Sequence, residues 1–291
     1  MATKKNPSVK TSGHRVNPSK RETATHGHNE KLEMLLMENF PVVKKSMTFS
    51  KMMRMDKSIA SVISKWHWFF PPLCNRKDQA TLTDTEKERY ICAFNMVNND
   101  GTLGEMVETH NIVYGQHGNT LLLPWHRIFL LLFEEALHNY HPDVCLPYWD
   151  WTNPSEQHFP DWLSGILPTV ITPSRTISVY RSTLDDSSLA STVAGASGAM
   201  TKTTYDTFTS QINPIHGGVH IWVGGTMGTF DSPADPVFWL HHANLDRLWW
   251  IWYNDSAAGN HQNPVLSDPI NPWTFTEADT RNINTLGYRY V

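Results

Sequence analysis

The sequence predicts a mainly α-helical fold, with a core of four main helices joined by long irregular loops. Helix-spaced apolar stripes recur along residues 83–140 and return after residue 214. The stretch between them is rich in Pro, Ser, Thr and Gly, and no solenoid-length repeat runs through the chain. With 291 residues, 40% hydrophobic, twelve Trp and twelve Phe, the chain has ample material for one large or two small domains and is not disordered.

Residues 1–30, rich in Lys, Ser, Thr, Asn and Gly, read as a basic flexible tail. Residues 31–65 form a Met-rich extension whose stretch Leu32–Met37 reads as a short amphipathic helix broken by Pro41. Its Met side chains suit adaptable packing, with capture of Cu(I) by soft thioethers as the alternative. The folded domain is expected over 66–291, beginning at the aromatic run Trp66–Phe70. Thr83 or Asp84 followed by Glu86 is a capping signature, and Tyr90, Ile91, Phe94 and Val97 supply a helical stripe ending before Asn98. A second helix follows Thr102, with Leu103, Met106, Val107 and His110 at helical spacing. A third starts at Pro124, a first-turn position, and runs to about Tyr140. Residues 152–205 read as loop, and helical signals resume over 214–222 and 236–253.

Net charge is −4, divided into +7 over residues 1–60 and −11 over 61–291, so the acidic body is no nucleic-acid binder. The apolar run Ile128–Phe133 is six residues where a membrane span needs about twenty, and the N-terminus lacks a secretory apolar stretch. A cytoplasmic location is the expectation. Three Cys (74, 92 and 145) cannot build a disulfide framework and point weakly to a reducing compartment.

Fifteen His are the anomaly. His110, His117 and His126 lie on the second helix, the connecting loop and the third helix, so three imidazoles can close around one metal. His216 and His220 stand at i, i+4 on one helical face, about 5–6 Å apart at Cβ. His241 or His242 follows on the next helix as a third member. Three nitrogen ligands with an open position signal catalysis or small-molecule binding. His14, His26, His28, His158 and His261 fall in polar segments and are assigned no role. His138 and His141 sit at the far end of the third helix as solvent or helix-dipole partners. A His-Glu-x-x-His zinc protease is excluded, because Gly217 occupies the Glu position. Carboxylate-free imidazole sets suit Cu or Zn and argue against non-haem iron, Mg and Ca. Two adjacent copper ions have the charge and redox range to bind O2.

Leu123-Pro-Trp-His-Arg127, Leu146-Pro-Tyr-Trp-Asp-Trp151, His220-Ile-Trp-Val-Gly-Gly225, Asp235-Pro-Val-Phe-Trp-Leu-His-His-Ala-Asn-Leu-Asp-Arg247 and Leu286-Gly-Tyr-Arg-Tyr290 together resemble the type-3 copper proteins, in particular short bacterial-type tyrosinases. The resemblance covers roughly residues 76–291. It implies a four-helix bundle around a dicopper site, with His110, His117 and His126 on the first copper and His216, His220 and His242 on the second. It selects His242 over His241, which spacing leaves open. It also implies Phe238 as a pocket wall beside Gly217 and Ile221, and Asp246 as a carboxylate that orients an imidazole or anchors Arg247. The implied activity is tyrosinase or catechol-oxidase chemistry: o-diphenols, and in tyrosinases monophenols, become o-quinones at the expense of O2. Partners implied are a small phenolic substrate and a copper-delivery protein, with oligomeric state left open.

Some positions depart from the pattern. Gly217 stands where many tyrosinases carry Asn, Ile221 where hydroxylating relatives often carry Arg, and only Gln211 or Asn213 stands where an acid is sought. No catalytic base is identified, so diphenol oxidation with weak monophenol hydroxylation is expected. Gly115, two residues before His117, excludes a Cys–His thioether there. With the sequence ending after Tyr290, an open site is expected unless part of residues 31–75 or another protein covers it. The alternatives are an o-aminophenol oxidase, an O2-carrying haemocyanin-like unit and a non-catalytic copper-binding module.

Overall fold

Among the described residues, seven α-helices carry the fold and four three-residue strands pair between them. The computed structural model describes residues 73–112, 117–118, 120–255, 269–273 and 275–291, all within the second of two units into which the chain divides, Met47–Val291. The expected tail, the Met-rich extension, the boundary at residue 66 and most of the covering segment 31–75 lie outside the described residues.

Helix α1 (Asp84–Asn99) starts where its capping box places it: the Thr83 N–H donates to Glu86 Oε2 at 2.8 Å and the Glu86 N–H donates to Thr83 Oγ1 at 3.2 Å. It runs through the two asparagines expected to end it and stops at Gly101, whose φ of 87° breaks the ladder at little cost to glycine. Helix α2 (Thr102–Ile112) follows at once. Helix α3 (Leu122–His138) begins two residues before the expected start at Pro124. Pro124 still lies in the first turn, where an N–H has no intrahelical partner to lose. Almost every α3 residue is buried, as a helix apolar all round requires.

The 152–205 region is more ordered than its composition implies. It holds an antiparallel hairpin, β2 (Thr169–Ile171) with β3 (Thr176–Ser178), and the short helices α4 (Asp186–Val193) and α5 (Ala196–Met200). Each is too short for periodicity to register; α4 is marked only by its cap, Asp185 Oδ1 accepting from the Ser188 N–H at 3.1 Å. Helix α6 (Tyr205–Val223) likewise begins well before Pro214, which lies inside it. The buried stripe Phe208, Ile212, Ile215, Val219 and Trp222 continues across the proline, so packing outweighs one lost hydrogen bond. Helix α7 (Pro236–Asn254) is capped by Asp235, which accepts from the Val237 N–H at 3.0 Å. It packs against α3, while α4 and α5 pack on α6. The histidine-bearing helices α2, α3, α6 and α7 are the expected four-helix core.

Strand β1 (Cys74–Arg76) pairs in parallel with β4 (Tyr288–Tyr290), joining the start of the described domain to its C-terminus. Cys74 and Cys145 form a disulfide, leaving Cys92 free. This corrects the expectation of unbridged thiols: cysteines 71 positions apart in sequence are brought together by the fold, and the thiol argument for a reducing compartment falls with it. Among the described residues, no helix is long and apolar enough to cross a membrane.

Beneath this strand pair lies a buried polar hub. Arg76 forks onto Glu134, with Nε to Oε1 at 3.1 Å and Nη2 to Oε2 at 2.9 Å, and Glu134 Oε1 also accepts from the Leu146 N–H at 2.8 Å. Asp246 Oδ1 accepts from Arg127 Nε at 2.5 Å, and its Oδ2 accepts from the hydroxyls of Tyr288 and Tyr290 at 2.8 and 2.5 Å. The expected role of Asp246 is therefore corrected. It binds neither an imidazole nor Arg247, because it lies one turn beyond His242, facing Arg127. Arg247 instead donates to Asp150 Oδ2 and Asn244 Oδ1, both at 3.1 Å.

Candidate metal centre

Three histidines of the two sets, His110, His126 and His220, have their rings fixed by a backbone carbonyl. His110, near the end of α2, has Nδ1 2.8 Å from the carbonyl oxygen of Phe230. His126, in the second turn of α3, places Nδ1 2.8 Å from the Leu122 carbonyl, one helical turn back. His220 on α6 places Nδ1 2.8 Å from the Met227 carbonyl. A carbonyl oxygen only accepts, so these three Nδ1 atoms carry the proton and donate. Each Nε2 is then a bare lone pair whenever the ring is neutral.

The rings are neutral at ordinary pH. Burial, followed by neighbouring imidazoles, holds His110, His126, His216 and His242 well below the usual histidine range, and burial lowers His220 to about 4. Their Nε2 atoms converge with those of the remaining rings. His110 and His117 approach Nε2 to Nε2 at 2.9 Å, and His126 Nε2 is buried with no hydrogen-bond partner. In the second set, the Nε2 atoms of His216, His220 and His242 form a triangle with sides of 3.1, 3.1 and 3.3 Å.

Three nitrogens converging so closely cannot all be paired by the protons the neutral rings carry, and a cation between them would satisfy every lone pair. Nitrogens so separated lie about 1.8 Å from their common centre (a side over √3), close to the roughly 2.0 Å of an imidazole–metal bond. The donor atoms of His110, His117 and His126 fall within 4.8 Å of one another, as do those of His216, His220, His241 and His242. Both groups consist of imidazoles alone, a donor chemistry that suits copper.

The two sets abut. His126 and His242 lie ring on ring, 4.2 Å apart at the centroids and 10° from parallel. Phe238, one turn before His242, is wedged between them, 4.2 Å from His242, 5.3 Å from His110 and 6.0 Å from His220. It is fully buried, an inner wall more than a surface of an open pocket. On α6, next to His216 and His220, an added Cβ at Gly217 would meet nothing within 4 Å and Ile221 is 63% exposed. Gln211 turns away toward the Gly195 carbonyl at 3.4 Å, while Asn213 keeps a buried Oδ1 without a partner.

Phe230 was not found by sequence reasoning. Its carbonyl holds His110 while its ring, 45% exposed, lies 5.5 Å from His117. It stands in a turn before α7 with no motif around it, and a backbone acceptor carries no side-chain signature. His138 bonds the Val144 carbonyl at 2.9 Å, well away from both sets.

Comparison with known proteins agrees with this geometry. The family model for the common central domain of tyrosinase matches residues 100–185 and 166–255, a span containing all six histidines. The tyrosinase of Streptomyces glaucescens is 33% identical over 254 residues, covering 69% of this chain and 93% of that protein; that of Streptomyces antibioticus is 32% identical with the same coverage. A functional unit of octopus haemocyanin shares the fold at a TM-score of 0.63 and 24% identity, covering 74% of this chain and 67% of that one. The polyphenol oxidase of Grenache grape (Vitis vinifera) shares it at 0.57 and 20%, covering 76% and 85%. A central-domain match over more than half the chain, laid across two abutting imidazole sets, places this protein in the tyrosinase family of binuclear copper proteins.

Proposed function

We propose that His110, His117 and His126 hold one copper ion and His216, His220 and His242 the other, in an oxidase that converts o-diphenols to o-quinones. The observation that carries this reading is the convergence of the imidazole Nε2 atoms in each set, three of them held as bare lone pairs by a carbonyl on the opposite ring nitrogen. Bound copper supplies two-electron reduction of O2 and Lewis acidity toward a phenol oxygen. Overall, two diphenols give two quinones while one O2 takes up four electrons and four protons to become two waters.

The chain supplies position and exclusion. The carbonyls of Phe230, Leu122 and Met227 fix the tautomers of His110, His126 and His220, so their Nε2 atoms need no reorientation when metal arrives. Buried Phe238, Phe129 and Trp125 keep water off the inner face of the rings. Open space at Gly217 and the exposed side chain of Ile221 admit an aromatic ring from the other side.

Neither imidazole group contains a carboxylate, and Gln211 points elsewhere. A diphenol needs little help to lose its protons once it meets a Lewis acid, whereas a monophenol with a pKa near 10 must be deprotonated before hydroxylation. Diphenol oxidation therefore dominates and monophenol hydroxylation is slow. A copper-delivery partner is part of the same reading. The test is metal analysis with initial rates on L-DOPA and tyrosine. Two copper per chain and a faster diphenol rate are expected; one copper per chain, or a tyrosine rate equal to the diphenol rate, overturns the reading.

A further inference from the structure

We propose that His241 is a fourth nitrogen donor of the second histidine set, giving it a four-imidazole site for a lone cupric ion; this rests on the ligand reading above. His241 is fully buried, and neither of its ring nitrogens has a hydrogen-bond partner. The backbone of His216 beside it influences its charge without reaching hydrogen-bonding geometry. Its ring lies 4.7 Å from that of His220, edge-on, and 5.1 Å from that of His216, parallel to within 1°. Trp151, at 5.9 Å, closes the far side.

Packing alone does not account for an imidazole there. Leaving a buried polar group unpaired costs about 1–3 kcal/mol, and an apolar ring of similar size would fill the space without that cost. What surrounds the unpaired nitrogens is ligand. One donor atom from each of His216, His220, His241 and His242 lies within 4.8 Å of every other. Four nitrogens arranged squarely at about 2.0 Å from one ion have opposite corners about 4 Å apart, so side-chain shifts under about one ångström complete the set. Cu(II) favours such a tetragonal nitrogen environment.

Two overlapping donor sets follow. With His242 lying against His126, three imidazoles leave an open position next to the first set. With His241 added, the four equatorial positions of a single Cu(II) are filled and none of them is left for O2 or a phenol. A half-loaded chain thus holds its copper in an inert form.

The experiment uses the full-length chain carrying His117→Ala, which disables the first set, given one equivalent of Cu(II) alone. Electron paramagnetic resonance counts the coordinated nitrogens, and competition with a chelator gives affinity. Four nitrogens are expected, falling to three in His241→Phe and in His241→Gln, with copper held at least about tenfold more weakly. An unchanged spectrum and affinity in both variants overturns the proposal. So does a count of three in the His117→Ala chain itself, which decides the matter even where neither variant folds. A signal that survives His216→Ala instead overturns the ligand reading, because the ion then sits elsewhere.

Discussion

Two buried polar clusters lie on the same pair of helices, α3 and α7, and they are built on opposite principles. In the hub, Arg76, Arg127, Glu134 and Asp246 balance two positive charges against two negative, and strand β4 adds two tyrosine hydroxyls. The carbonyl of Thr280 takes a further Arg127 N–H at 2.8 Å. One turn away, His126 and His242 belong to a cluster in which imidazole nitrogens converge and several of them have no partner. A satisfied network of buried charges specifies one packing; an unsatisfied one stores a demand for something the chain does not contain. Adjacent residues divide these duties: His126 serves the centre and Arg127 the hub.

Substitutions on either side of that division break it in opposite ways. His126→Ala is expected to abolish catechol oxidation, to the uncatalysed background, while leaving the metal-free fold as stable as before or slightly more so. It removes a ring whose buried Nε2 has no hydrogen-bond partner. Oxygen uptake and urea unfolding of the same sample read the two quantities. Asp246→Ala leaves Arg127 buried without its partner and should cost about 3–5 kcal/mol in unfolding free energy, with or without copper. A loss below about 1 kcal/mol would mean that the hub is not the anchor between α3 and the C-terminal strand.

Acid separates the clusters next. The folded-state pKa values of the buried imidazoles lie below the unfolded value of about 6.5, so the unfolded chain takes up protons first as pH falls. The metal-free protein should be most stable above pH 6.5 and lose stability below it. Each such imidazole contributes roughly 1.4 kcal/mol per pH unit, continuing for His220 to about pH 4. Urea midpoints at pH 7 and 5 measure this, and the slope should be shallower in His126→Ala. Copper occupying the lone pairs adds about 4 kcal/mol at a free concentration a thousand times its Kd, and that increment should disappear as protons compete.

The centre was more legible in the sequence than the hub, for a physical reason. Metal-ligating chemistry requires particular residue types at particular helical spacings, and His216 with His220, or His110 with His117 and His126, display that requirement one-dimensionally. The hub joins Arg76, Glu134, Asp246 and Tyr288, residues far apart in sequence and individually ordinary, so Asp246 was expected to serve an imidazole. The Cys74–Cys145 bridge was missed for the same reason. The long helices were legible from their stripes and caps. Helices α4 and α5 were not, being shorter than the window a stripe needs, and Pro214 concealed the first half of α6 by resembling a helix start.

The smallest effects expected come from two adjacent glycines on α6, and they sharpen the contrast between open centre and packed body. At Gly217 an added Cβ meets nothing within 4 Å; at Gly218 it would lie 2.5 Å from Thr192 Cγ2 on α4. Thr192 is held by its hydroxyl bond to the Ser188 carbonyl at 2.8 Å, so it cannot turn aside freely. Gly217→Ala should gain about 0.4–1 kcal/mol, because alanine restricts the unfolded chain and favours helix. Gly218→Ala receives the same helical gain, and the clash should reverse its sign to a loss of about 1 kcal/mol or more. Catechol rates should hold in Gly218→Ala, whose methyl would face Thr192. Thermal unfolding of the pair gives the difference directly, and equal shifts would mean that the face of α6 bearing Gly217 is as closely packed as the one bearing Gly218.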